Sequence, residues 1–266
     1  MDFQYIQLEI AEQIATIWLN RPEVHNAFNP VLIEELQSCF DALNQNNQVR
    51  VVILAGRGKS FSAGADLNWM KAQGEAELAE NEADALKLAQ MLNALATLKQ
   101  PTIARVHGAA LGGGMGLASA CDICIASSDA KFATSEVRLG LAPSTISPYV
   151  IRAIGARQAS RYFLTAERIS AKHAREIGLV HEVTEPEQLD QKRQDIVYAL
   201  LLGCADAQTA SKQLIAMVAT EQVNAELLQS TAKHIAHLRQ GAEAKDGLNA
   251  FLNKQSPSWV KTTSEQ

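Results

Sequence analysis

Two glycine-rich segments, residues 56–64 and 108–116, are where residue type and spacing in this chain point to chemistry. Each follows a short apolar run that reads as a strand, Val51-Val52-Ile53-Leu54 in one case and residues 103–106 in the other, and each opens a helix. The first N–H groups of a helix have no partner inside it and carry partial positive charge. Glycine lets a ligand come close to them. Two such turns brought together could hold one developing oxyanion; the plainer reading is that the glycines only allow close packing.

Spacing excludes several other chemistries. Gly58-Lys59-Ser60 resembles the end of a phosphate-binding loop, but the first glycine of that loop would fall on Ile53. Gly112, Gly113, Gly114 and Gly116 do not complete G-x-G-x-x-G, because Leu117 stands last. No G-x-S-x-G elbow and no H-E-x-x-H occurs. Cys121 and Cys124 are spaced C-x-x-C, yet with no second pair they read as core thiols, so no metal site is expected. His234 and His237 read as a solvated helix face.

The surrounding elements read as an α/β core followed by helices. Residues 4–19 read as two strands, with Ile14, Thr16 and Trp18 alternating with Ala15, Ile17 and Leu19 in a manner suited to a sheet buried on both faces. Asn29 as cap and Pro30 as first residue start a helix carrying Ile33, Leu36, Phe40 and Leu43. A second helix is expected over residues 78–98 and ends before Pro101. Residues 123–126 form another strand, and from about Arg157 the chain is expected to be helical apart from residues 179–183. The domain reading is a core over residues 1–195 and a helical subdomain over 196–266.

At 266 residues the chain can bury a sizeable core, and with 5% aromatics that core is built mainly from aliphatic side chains. The net charge, 24 − 29 = −5, argues against binding nucleic acid or an anionic membrane. The N-terminal residues lack a signal-peptide pattern. Four cysteines in a chain of this length predict a reducing, cytoplasmic compartment.

Four segments together resemble the enoyl-CoA hydratase/isomerase (crotonase) family. They are Ile14-Ala15-Thr16-Ile17-Trp18-Leu19-Asn20-Arg21-Pro22 with Asn26-Ala27, Phe61-Ser62-Ala63-Gly64-Ala65-Asp66-Leu67, the stretch 108–117 followed by Cys121-Asp122-Ile123, and residues 251–259. The resemblance covers nearly the whole chain in the right order. It implies a crotonase-like spiral of repeated ββα units with a C-terminal helical trimerisation subdomain, assembled as a homotrimer or a hexamer (dimer of trimers). It implies an acyl-CoA substrate whose thioester carbonyl sits between the N–H groups of Ala63 and Gly113, with residues 63–67 (Ala63, Gly64, Ala65, Asp66 and Leu67) wrapping the CoA. Asp66 reads as a structural residue of that loop. No separate cofactor is implied, since CoA comes as part of the substrate.

Many family hydratases carry two glutamates. The position matching the first is Gly116 here, so that acid is absent, whereas Glu136 matches the second. One carboxylate can still deprotonate the water attacking C3 and return a proton to C2, a general-base contribution of roughly 10²- to 10⁴-fold. A double-bond isomerase, which needs one base, stays open beside a hydratase. The residues around Glu136, the segment Ala65-Asp66-Leu67-Asn68-Trp69-Met70 and the missing second glutamate resemble the bacterial methylglutaconyl-CoA hydratase branch, whose product here would be 3-hydroxy-3-methylglutaryl-CoA, in leucine and isovalerate breakdown. Isohexenylglutaconyl-CoA, from acyclic terpene breakdown, is the alternative substrate. Both acyl groups end in a carboxylate, so Arg138, Ser144, Thr145, Ser147 or Lys71 is expected at the acyl end, with Trp69 lining it. Phe251 and Lys254 match positions that touch a neighbouring subunit's CoA, and Lys59 is a second candidate for a CoA phosphate. One branch of the methylglutaconyl hydratases binds RNA, but the charge of −5 speaks against that here.

Overall fold

In a computed structural model, which describes residues 2–219 and 221–260, the chain winds in successive strand–strand–helix turns. The strands are β1 (Ile6–Ala11), β2 (Ile14–Leu19), β3 (Val51–Gly56), β4 (Thr102–Val106), β5 (Ala109–Leu111), β6 (Ile123–Ser127), β7 (Lys131–Ala133), β8 (Ile169–Ser170) and β9 (Glu182–Thr184). The main sheet runs β1-β2-β3-β4-β6-β9; only β1 pairs antiparallel. A small second sheet runs β5-β7-β8, and a bridge from Ser62 to Ala110 extends it. Each turn therefore gives one strand to the main sheet and a shorter one to the second: β3 then Ser62, β4 then β5, β6 then β7.

The helices are α1 (Pro30–Gln45), α2 (Leu67–Glu75), α3 (Leu78–Ala96), α4 (Gly113–Ala120), α5 (Ser147–Thr165), α6 (Ala171–Glu176), α7 (Leu189–Leu202), α8 (Ala205–Val218), α9 (Ala225–Gln240) and α10 (Ala242–Leu252). The Asn29 side chain caps α1 by accepting from Leu32 N–H at 2.9 Å, with Pro30 as first residue, as the sequence predicts. One face of the main sheet packs under α1, α3, α4 and α5 through residues such as Leu36, Phe40, Met91, Leu95, Met115 and Val150. Val51, Ile53, Ile103 and Ile125 pack on the other face with Leu189 and Val197 of α7. Burial on both faces explains why all six residues of β3 are buried and apolar or glycine.

Several local expectations shift. Strands β5, β7 and β8 have only two or three residues each, too few to show a period of two. Helix α5 starts at Ser147, ahead of the expected Arg157, and the late strand is β9 rather than 179–183. The boundary expected at 195/196 falls inside α7, which covers the sheet. Residues 261–266, the end of the expected helical subdomain, lie outside the described residues. Among the described residues no helix is long and apolar enough to cross a membrane.

Candidate active site

The second sheet stacks the three turns so that the residues leaving each short strand arrive at one end. Ser62 N–H donates to Ala109 O at 2.9 Å, Leu111 N–H to Ser62 O at 2.9 Å, and Gly112 N–H to Ala133 O at 2.8 Å. The next residues along, 63–67, 112–113 and 135–136, line one cavity of about 460 Å³, apart from Asp66. Phe28, Trp69, Met70, Gln73 and Leu88 close it on one side, and residues 139, 141–146 on the other.

Among the backbone amides at this cavity that have no acceptor among the described residues, those of Ala65 and Gly113 belong to the two glycine-rich turns. Ala63, assigned an oxyanion role from its motif position, does not fit: its N–H donates to His25 O at 2.9 Å and is already used. The free amide of that loop belongs to Ala65, held in place because Phe28 N–H donates to Gly64 O at 2.6 Å and Asp66 N–H to Phe28 O at 2.8 Å. Opposite, Gly113 is the first residue of α4, with the helix dipole behind it. Gly112 takes φ +48°, a turn that L side chains resist, and thereby starts α4 at the cavity. Gly113 lies flat on the Phe28 ring: a Cβ there would sit 2.8 Å from Cδ2 and nearer still to Cε2.

A polar hub anchors the first loop. Asn26 is fully buried in the left-handed region (φ 55°). Its Nδ2 donates to Arg57 O at 2.9 Å and Ser60 O at 2.8 Å, while its Oδ1 accepts from Arg21 N–H at 2.8 Å. Asp66 caps α2 by accepting from Asn68 N–H at 2.9 Å and pairs with the buried Arg21 at 3.1 Å. Burial pushes the Asp66 carboxyl up, but the Asn68 and Trp69 amides and Arg21 together hold it below its usual value. It is a structural ionised cap and does not line the cavity.

Glu136 begins a short 3₁₀ turn (Glu136–Leu139) and, among the described residues, is the one charged residue lining the cavity. Its Oε1 lies 3.1 Å from the point where a Cβ on Gly112 would be, so the carboxyl group sits beside the second glycine turn. Its Oε2 is buried with no hydrogen-bond partner. Burial raises its pKa above the ordinary value. A carboxyl with a raised pKa and an unpaired oxygen is poised to take and return protons.

The position of the missing first glutamate is filled. A Cβ on Gly116 would lie 2.8 Å from Ile146 Cβ and closer still to its Cγ2. Ile146, buried at the head of α5, therefore occupies the space a second acid would need, and the site is built for one carboxylate.

The raised pKa makes this group's contribution to stability depend on pH. The native state binds the Glu136 proton more tightly than the unfolded chain does, so this group's stability contribution is fully present below its unfolded pKa and is lost as pH rises through the native one. Glu136→Gln should therefore raise Tm near neutral pH by a few degrees, at about 2–4 °C per kcal/mol, and leave it unchanged in acid. Thermal melts across pH test this. A variant no more stable than the parent at neutral pH would contradict the burial argument.

The structure separates the remaining candidates. Ser144, Thr145, Trp69 and Leu67 line the cavity with Gly64 and Ala65. Arg138, expected at the acyl end, is exposed and does not line it: two residues on in a turn of three per revolution points away from Glu136. Lys71 is likewise exposed and outside the lining, and Ser147 begins α5 behind it. Lys59 is exposed on the loop beside Gly108, away from the cavity. Phe251, 80% exposed near the end of α10, and Lys254 in the following turn do not reach it within one chain. Sequence reasoning missed Phe28 and Ile146 and gave Asn26 a place in a motif but no role; the placement of Phe28 two residues after Asn26 was the available signal. Cys121 and Cys124 are buried, and burial raises both thiols, Cys124 to about 12, which disfavours the thiolate form.

The sequence profile of the enoyl-CoA hydratase/isomerase family matches residues 9–262. A crystal structure of an enoyl-CoA hydratase from Shewanella pealeana superposes with a TM-score of 0.94 at 40% identity, covering 97% of this chain and 96% of that one. The crotonyl-CoA hydratase of Syntrophomonas wolfei is 34% identical over 98% of this chain and 99% of its own length. The trans-2-decenoyl-[acyl-carrier-protein] isomerase of Streptococcus mutans is 31% identical over 98% and 99%. The chain belongs to the enoyl-CoA hydratase/isomerase family. It is an enzyme of the enoyl-CoA hydratase/isomerase type with the crotonase fold.

Proposed function

We propose that this enzyme adds water across the double bond of an α,β-unsaturated acyl-CoA with Glu136 as its single catalytic carboxylate. The thioester oxygen lies between the Ala65 and Gly113 amides, which stabilise the charge arriving there as water attacks C3. Glu136 takes the proton of that water and returns a proton to C2 on the same face, so it ends as it began. Neither step calls for a metal or a redox cofactor, CoA entering only as part of the substrate. The observation that carries the reading is the unpaired, buried Oε2 of Glu136 at the cavity lined by both glycine turns with their Ala65 and Gly113 amides. The single base also suits a double-bond shift, the reaction named for the Streptococcus relative.

For the acyl group we infer a chain ending in a carboxylate, with 3-methylglutaconyl-CoA as the preferred substrate. Among the described residues no cation lines the cavity to meet that carboxylate, and Arg138 lies outside it. Instead Ser144 and Thr145 line the wall just before the first segment of α5, which runs from Ser147 to a break at Gly155 (φ 73°) and whose N-terminal end favours negative charge. The hydroxyls and the helix end supply the donors. Ser144→Ala with Thr145→Val should raise KM for 3-methylglutaconyl-CoA about tenfold, the loss of a hydrogen bond to a charged group, and leave crotonyl-CoA unaffected; Arg138→Ala should change neither. An equal effect of the double variant on both substrates would contradict this assignment.

The exposed Leu248, Phe251 and Leu252 of α10 support assembly into a trimer or dimer of trimers, in which Phe251 and Lys254 meet a neighbouring subunit's CoA.

A further inference from the structure

Helix α2 forms part of the cavity wall through Leu67, Trp69, Met70 and Gln73, yet none of its residues is buried. Apolar packing holds it only through partly buried side chains, with Trp69 against the core. Polar contacts to α3 hold it as well. The Trp69 indole N–H donates to Asp84 Oδ2 at 2.8 Å, and Gln73 Nε2 donates to the same oxygen at 2.6 Å. Asn81 Nδ2 donates to Gln73 O at 2.8 Å and Ala76 O at 3.2 Å.

Behind this contact lies a second cleft of about 340 Å³, between α2 and α3, with Pro30, Ala72, Ala76 and Ala83 in its lining. Trp69 and Gln73 line both the cleft and the Glu136 cavity, whereas Asp84 lines only the cleft. The two donors thus form a partition between two spaces, and one carboxylate oxygen on the far side holds both of them.

We propose that Asp84 is a positioning residue that latches Trp69 and Gln73 as the end wall of the acyl cavity, and so sets the length of acyl chain the enzyme takes. With the latch closed, the cavity holds a short acyl group. With it open, the cavity runs on into the cleft behind, where Pro30, Ala72, Ala76 and Ala83 offer apolar contacts for further methylenes beside the polar Glu80, Asn81 and Lys87. The proposal rests on the acyl-CoA reading above and adds the limit on chain length.

Saturated thioesters bind without turnover, so calorimetric titration with butyryl-CoA and decanoyl-CoA reads the wall independently of activity. In Asp84→Ala the Kd for decanoyl-CoA is expected to fall at least about tenfold, from about fourfold per newly buried methylene, while that for butyryl-CoA stays at the parent value. Asp84→Asn keeps an oxygen that accepts from both donors and should match the parent. Trp69→Phe removes one donor and should move decanoyl-CoA part of the way. An unchanged decanoyl-CoA affinity in Asp84→Ala, a shift common to both thioesters, or the same shift in Asp84→Asn would overturn the latch. Failure of the parent to bind butyryl-CoA would overturn the acyl-CoA reading and the latch with it.

Discussion

Glu136→Gln is expected to lower kcat by about 10²- to 10⁴-fold with little change in KM. Glutamine keeps the size and polarity of the side chain but cannot take a proton, so the loss reports the proton transfer itself. The usual fallback in a two-acid site is missing, because Ile146 fills the space over Gly116 where a second carboxylate would stand. The pH profile of the parent should show the same group. Activity needs the carboxylate, and burial raises its pKa, so the acid limb of kcat/KM should fall at a pH above the ordinary glutamate value. A profile flat through that range, or a Gln variant with near-parental kcat, would remove Glu136 from the mechanism.

The second large effect is expected at Gly113. A methyl group there collides with the Phe28 ring, so Gly113→Ala must move the head of α4 or displace Phe28. Either shift takes the Gly113 amide off the oxyanion, and losing one such donor costs about 10²- to 10³-fold in kcat. Because Phe28 is also hydrogen-bonded through its backbone to Gly64 and Asp66, displacing it disturbs the Ala65 amide too. Pairing Gly113→Ala with Phe28→Leu makes room and should recover part of the loss. A single Gly113→Ala variant with parental kcat would show that this amide does not face the developing charge.

These residues differ in how much the sequence shows of them. Glu136 and Gly113 are legible because a side chain type and a glycine run carry their roles. The choice between Ala63 and Ala65 is not: the two residues are identical, and only the backbone direction shows that one amide is spent on His25 while the other is free. Arg138 misleads for a related reason, since a residue two on from Glu136 in a 3₁₀ turn faces about 120° away. The main-sheet strands and α1 are long enough to show their periods and caps. The two- and three-residue strands that align the site show none, although they decide which residues meet. Ile146 is invisible from sequence as the occupant of a missing acid's place, because it lies 30 residues beyond Gly116 and meets it only through the packing of α4 against α5.

The central claim is that Glu136 drives addition of water rather than a double-bond shift. The most direct measurement is turnover of 3-methylglutaconyl-CoA in ¹⁸O-labelled water, with the product mass followed by mass spectrometry. The account predicts a product that gains the elements of one water with the label at C3, formed by the parent and not by Glu136→Gln. A product of unchanged mass and no ¹⁸O, with only the double bond moved, would contradict it and make the enzyme an isomerase.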